Sequence, residues 1–113
     1  MTLYIKRGNT VYLRIIPLIN MEEYTLTKGD KVIFTVRRGA RDDPVIRKVL
    51  TLEDYNANNE LVLKLDPAET ELPTGDYKYD CSIEMSDGER YTFIPPDDFF
   101  VCDIITDWGN GDE

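Results

Sequence analysis

The side chains with reactive potential are few. Cys81 and Cys102 are the two cysteines, adjacent carboxylates occur at Glu22-Glu23, Asp42-Asp43 and Asp97-Asp98, and there is no histidine. A thiolate nucleophile needs an electropositive, partly exposed setting, and Cys81 follows Asp80 in an acidic stretch. Lack of histidine removes Ser-His-Asp chemistry and imidazole metal ligation from this chain. Two carboxylates perform glycosidic chemistry when they converge across a cleft at roughly 5–10 Å, whereas neighbours along a strand point apart. The stretch Asp107-Trp108-Gly109-Asn110-Gly111-Asp112-Glu113 sets oxygen ligands between glycines, but without the ligand spacing of a calcium loop. No phosphate-cradling glycine loop or dinucleotide fingerprint occurs. The expectation is a protein that is not an enzyme, with no catalytic residue, cofactor or metal. The cysteines form no C-x-x-C pair and are expected as buried thiols, with a disulfide open if their Cα atoms come within about 7 Å.

Charge narrows the partners. The 113 residues carry 22 acidic and 13 basic side chains, a formal charge of −9. That balance argues against nucleic acid and anionic membranes as partners. Met1 to Lys6 shows no signal-peptide pattern and no apolar run approaches a membrane span, so synthesis in the cytoplasm without a signal peptide is expected. Residues 1–48 sum to +5 and residues 49–113 to −14. Either strands from the two halves interleave and the asymmetry averages out, or a basic patch at Arg37, Arg38, Arg41, Arg47 and Lys48 meets an acidic patch on another copy, making a homo-oligomer.

The elements that would position these residues read as strands. Tyr77 to Met85 alternates apolar and polar over its whole length, Asp87-Gly88 suits a tight hairpin turn, and Arg90 to Ile94 is the return strand. Lys31 to Arg37 puts Val32, Phe34 and Val36 on one face, and Leu61 to Leu65 does the same with its leucines. Leu3 to Ile5, Val11 to Ile16, Val45 to Thr51 and Phe99 to Ile105 complete about seven or eight strands. Asp66-Pro67 opens a short helical turn, and Pro95-Pro96 predicts a kink that separates two strands. The fold class expected is all-β, an Ig-like antiparallel β-sandwich over residues 1–106, followed by an acidic tail over 107–113.

In Leu72-Pro73-Thr74-Gly75-Asp76-Tyr77-Lys78-Tyr79-Asp80-Cys81, Tyr79 stands two residues before a cysteine at a strand start, the arrangement of a tyrosine corner whose phenol bonds back to the preceding turn. No upstream cysteine or central-strand tryptophan accompanies it, which excludes an antibody-type core. Gly29-Asp30-Lys31-Val32-Ile33-Phe34-Thr35-Val36-Arg37-Arg38, the Leu72–Asp80 stretch, and Gly88 to Pro96 with Phe99 and Val101 together resemble small Ig-like proteins of prophages. The likeness is to the amino-terminal domain of upper baseplate proteins of phages that infect Gram-positive bacteria, over roughly residues 29–106. It implies a structural or adaptor module of a virion tail or baseplate, with no catalytic residues to transfer.

The expected function is therefore non-enzymatic, through contacts with other tail or baseplate proteins or with copies of the chain. The candidate interface residues are Leu3, Tyr4 and Ile5 in a first strand that can pair with another sheet edge, Arg37, Arg38 and Arg41 in the basic turn, and Trp108 in the tail. The alternative is a cell-surface or carbohydrate-binding β-sandwich module, because seven tyrosines offer amphipathic surface.

Overall fold

Residues 1–105 are described by the computed structural model, and they form an all-β fold. The strands are β1 Leu3–Lys6, β2 Val11–Ile15, β3 Leu18–Ile19, β4 Glu22–Glu23, β5 Lys31–Arg37, β6 Pro44–Leu50, β7 Leu61–Leu65, β8 Gly75–Glu84 and β9 Arg90–Cys102. A 3-10 turn at Leu52–Asp54 precedes β7, and one helical turn, α1 Pro67–Thr70, follows it. The main sheet has five strands in the order β1-β9-β8-β5-β6, accompanied by a β2-β7 ribbon and a small β3-β4 ribbon.

Period-two alternation sorts the side chains. Val32, Phe34 and Val36 of β5, Tyr77, Tyr79, Cys81 and Ile83 of β8, and Phe99 and Val101 of β9 are all buried on one face of the main sheet. Leu61, Leu63 and Leu65 of β7 meet them from the other layer, with Ile15 of β2 beside them. The core thus lies between the main sheet and the β2-β7 ribbon, a sandwich-like arrangement. Its centre is aromatic, with Phe34 5.7 Å from the Tyr79 ring and 6.4 Å from Phe99. Burying each of these large apolar side chains contributes about 1.5–3 kcal/mol.

Three sequence expectations change. The strands number nine, because Asn20 and Met21 take left-handed conformations (φ 53° and 68°) and close the β3-β4 ribbon, a turn normally signalled by glycine. The sheet is not wholly antiparallel, since β1 runs parallel to β9 with Leu3 opposite Phe99 and Ile5 opposite Val101. The Pro95-Pro96 kink does not divide β9. The strand runs through it, and the pairing with β8 shifts between Tyr79 and Cys81. Proline cannot donate to a ladder, so a bulge is where a continuous strand accommodates it.

The start of β5 is fixed by Asp30. Its buried carboxylate accepts from the Tyr24 hydroxyl (2.6 Å), the Thr27 amide (2.9 Å) and hydroxyl (3.0 Å), and the Ser86 amide in the β8-β9 turn (2.9 Å). Gly29 next to it has φ 92°, and a Cβ there would come within 2.8 Å of the Ser86 Cβ. Only glycine fits, on both counts. Burial pushes the Asp30 pKa up, but the hydrogen bonds from Tyr24, Thr27 and Ser86 outweigh it and hold the carboxyl below its ordinary 3.8. A depressed folded-state pKa contributes stability above the unfolded value, lost as pH falls through the folded one. Asp30→Ala should destabilise the protein by about 3 kcal/mol at neutral pH, measured by urea unfolding. The gap between parent and variant should narrow as the pH drops below 3.8; a gap independent of pH would contradict the role of the charge.

Candidate interaction surface

With one face of the main sheet buried, the other is left to the solvent among the described residues. Val45, Arg47 and Val49 of β6, Ile33, Thr35 and Arg37 of β5, and Lys78, Asp80 and Ser82 of β8 alternate away from the core. Val45 and Val49 are 40% and 41% exposed, and Val49 pairs across the strands with Ile33. At the far edge Tyr4 stacks on Phe100 with ring centroids 5.1 Å apart, Tyr4 being 70% exposed. Between these ends, where β9 bulges at its prolines, lies a hollow of about 180 Å³ lined by Thr35, Arg37, Ala40, Lys78, Tyr79, Asp80 and Pro96. Burial raises the pKa of Asp80, and the charge of Arg37 pulls it back. Lys78 is engaged with Asp98.

The residues expected at an interface separate. Tyr4 is on the open face, but Ile5 is buried and Leu3 packs against the core; strand alternation makes them core residues rather than contact residues. The edge of β1 that faces β9 is already used within the chain. Arg37 is half-buried on the open face and donates to the Asp42 carbonyl. Arg38 turns to the end of the core, where its guanidinium lies 4.8 Å from the Tyr77 ring centroid and donates to the Tyr77 hydroxyl at 3.1 Å. Arg41 is exposed in the β5-β6 turn. Lys48, one residue beyond Arg47, points inward and pairs with Glu69 at 3.0 Å. No single basic patch forms from these five, because alternation and the turn send them in different directions. Trp108 and the tail over 107–113 lie outside the described residues.

The corner tyrosine is Tyr77, not Tyr79. Its hydroxyl donates to the Pro73 carbonyl at 2.6 Å, four residues back, whereas the Tyr79 hydroxyl donates to the Met1 carbonyl. Both cysteines are free thiols and face opposite sides of the sheet, Cys81 buried in the core and Cys102 half-buried outside it, so the disulfide left open by the sequence is not formed. Burial, then the charge of Asp80, pushes the Cys81 thiol up to about 12, far from a nucleophile's range. Among the described residues, no three His, Cys, Asp or Glu side chains are grouped to hold a metal, and no helix is long and apolar enough to cross a membrane.

Sequence reasoning missed Val45, Val49, Ile33 and Phe100 as surface residues. The signal was available in Val45-Ile46-Arg47-Lys48-Val49-Leu50, whose apolar residues fall on both faces of a strand. Such a pattern belongs to a strand whose second face is less polar than a solvated one. Comparison adds no relative, since no protein-family model matches the chain and no curated protein is significantly similar to it.

One variant and one labelling experiment check these assignments. Tyr77→Phe should cost about 1 kcal/mol through loss of the corner bond, read in urea unfolding. In the native state a maleimide reagent at mildly alkaline pH should modify Cys102 and spare Cys81, with both modified after denaturation. Equal native reactivity of the two thiols would contradict the burial of Cys81.

Proposed function

We propose that the chain is a non-enzymatic structural or adaptor protein of a phage or prophage tail or baseplate, an Ig-like sandwich that works through protein-protein contacts within the virion. The observation that carries the reading is the open face of the five-stranded sheet. Val45, Val49 and Ile33 give it apolar contact area, Tyr4 and Phe100 give it an aromatic end, and Arg37, Arg47 and Asp80 give it charges to set orientation. Interfaces gain affinity from aromatic and aliphatic anchors and specificity from the charges around them. The distribution of reactive groups supports the same reading: the Cys81 thiol is buried and the Asp30 carboxylate is tied to four donor groups. The resemblance of the Gly29–Arg38 and Leu72–Asp80 stretches to baseplate proteins supplies the assembly, and its partners are other tail proteins or further copies of the chain.

Particles induced from the host strain and purified should contain the chain in fixed ratio to the major tail protein by quantitative mass spectrometry. A Val49→Asp copy should fold with unchanged unfolding midpoint yet enter particles at less than a tenth of the parental level. Particles devoid of the chain would overturn the assignment, and undiminished entry of the variant would overturn the role of the face.

A further inference from the structure

The end of the β2-β7 ribbon opposite α1 holds a second, separate feature. A groove of about 340 Å³ runs between the segment after β2 and the loop before β7, inside the size range of small-ligand sites. Tyr24, Tyr55, Arg14, Glu60, Asn58 and Asn59 supply most of its chemistry.

These groups are held in place before any ligand arrives. The Tyr24 hydroxyl is committed to Asp30 and the Tyr55 hydroxyl accepts the Leu26 amide at 3.0 Å, so both side chains that line the groove are anchored at their hydroxyl ends. Arg14 of β2 and Glu60, the residue before β7, pair at 2.8 Å. The loop is folded around Asn56, whose side-chain oxygen accepts the Asn58 and Glu60 amides at 2.8 and 3.0 Å and whose side-chain amide donates to Glu60. Asn59 sits in the left-handed region at φ 59°. Strain of that kind is retained where surrounding bonds over-determine the backbone, often at binding sites. Meanwhile the side-chain amides of Asn58 and Asn59 carry no hydrogen bond to any other described residue.

We propose that this groove binds one pyranose unit of a neutral sugar. Free amides offer a donor and an acceptor each, matched to neighbouring hydroxyls. An arginine-carboxylate pair offers both polarities at once, and tyrosine ring carbons suit the C–H face of a sugar. Arg14 and Glu60 cancel in charge while Glu23 adds a negative charge to the lining, so an anionic ligand gains nothing there. Pre-ordering of the loop lowers the entropy lost on binding. The inference is independent of the tail assignment, since it uses no residue of the open sheet face.

The test is a titration of the 15N-labelled protein with glucose, N-acetylglucosamine and galacturonic acid, followed by amide shifts. At least one neutral sugar should give saturable shifts centred on residues 14–16 and 56–61, with galacturonic acid weaker. The double variant Asn58→Ala with Asn59→Gly, chosen because glycine keeps the left-handed backbone, should weaken binding at least tenfold while leaving the remaining spectrum superposable. Lack of saturable shifts with all three sugars, or unchanged affinity in the double variant, would overturn the proposal.

Discussion

A buried carboxylate surrounded by donors locks several separate stretches of chain at once. Through Tyr24 and Thr27, Asp30 holds the segment that leads from the small β3-β4 ribbon into the main sheet, and through Ser86 it holds the turn joining β8 to β9. Between them starts β5, whose Lys31 is thereby set opposite Glu84. Because β5 and β8 are central strands, their register determines which residues face inward along the whole sheet. A slip by one residue would put Lys31, Ile33 and Thr35 into the core and Phe34 into water. The same segment ties the layers together, since buried Leu26 lies within it and its amide is bound by Tyr55.

Part of the charge asymmetry of the sequence is met by ion pairs within the chain. Among the described residues, Met1 pairs with Asp97, Arg7 with Glu71, Arg14 with Glu60 and Lys48 with Glu69. Each joins the basic first half to the acidic second half. Such exposed pairs are weak, because solvent and salt screen them.

Much of the fold was legible because alternation is a strong signal. β5, β7 and the heart of β8 fall where their pattern predicts, since each buries one face only and the polar residues mark the other. Less was legible where local rules were overridden. Asn20 and Met21 take conformations ordinarily left to glycine, and Pro95-Pro96 is absorbed as a bulge because long-range pairing on either side keeps β9 in the sheet. The parallel pairing of β1 joins chain ends far apart in sequence, which no local pattern encodes. The tyrosine corner was misplaced by two residues because Tyr77 and Tyr79 share a face and differ only in which hydroxyl reaches the Pro73 carbonyl. For the surface, a basic turn suggested a patch, but direction in three dimensions depends on strand phase: Arg47 and Lys48 are adjacent in sequence and opposite in space.

We propose that the bare face of the main sheet is where this protein meets its partners. Tyr4 and Tyr12 make the claim measurable, being 70% and 65% exposed on different sides, Tyr4 on that face and Tyr12 on the β2-β7 ribbon beside Lys64. Hydroxyl-radical footprinting of the chain, free and within assembled particles, reads both in one experiment. Protection of Tyr4, Phe100 and Val49 on assembly, with Tyr12 still oxidised as in the free protein, is the result predicted. Protection of Tyr12 with the sheet face still open would contradict it.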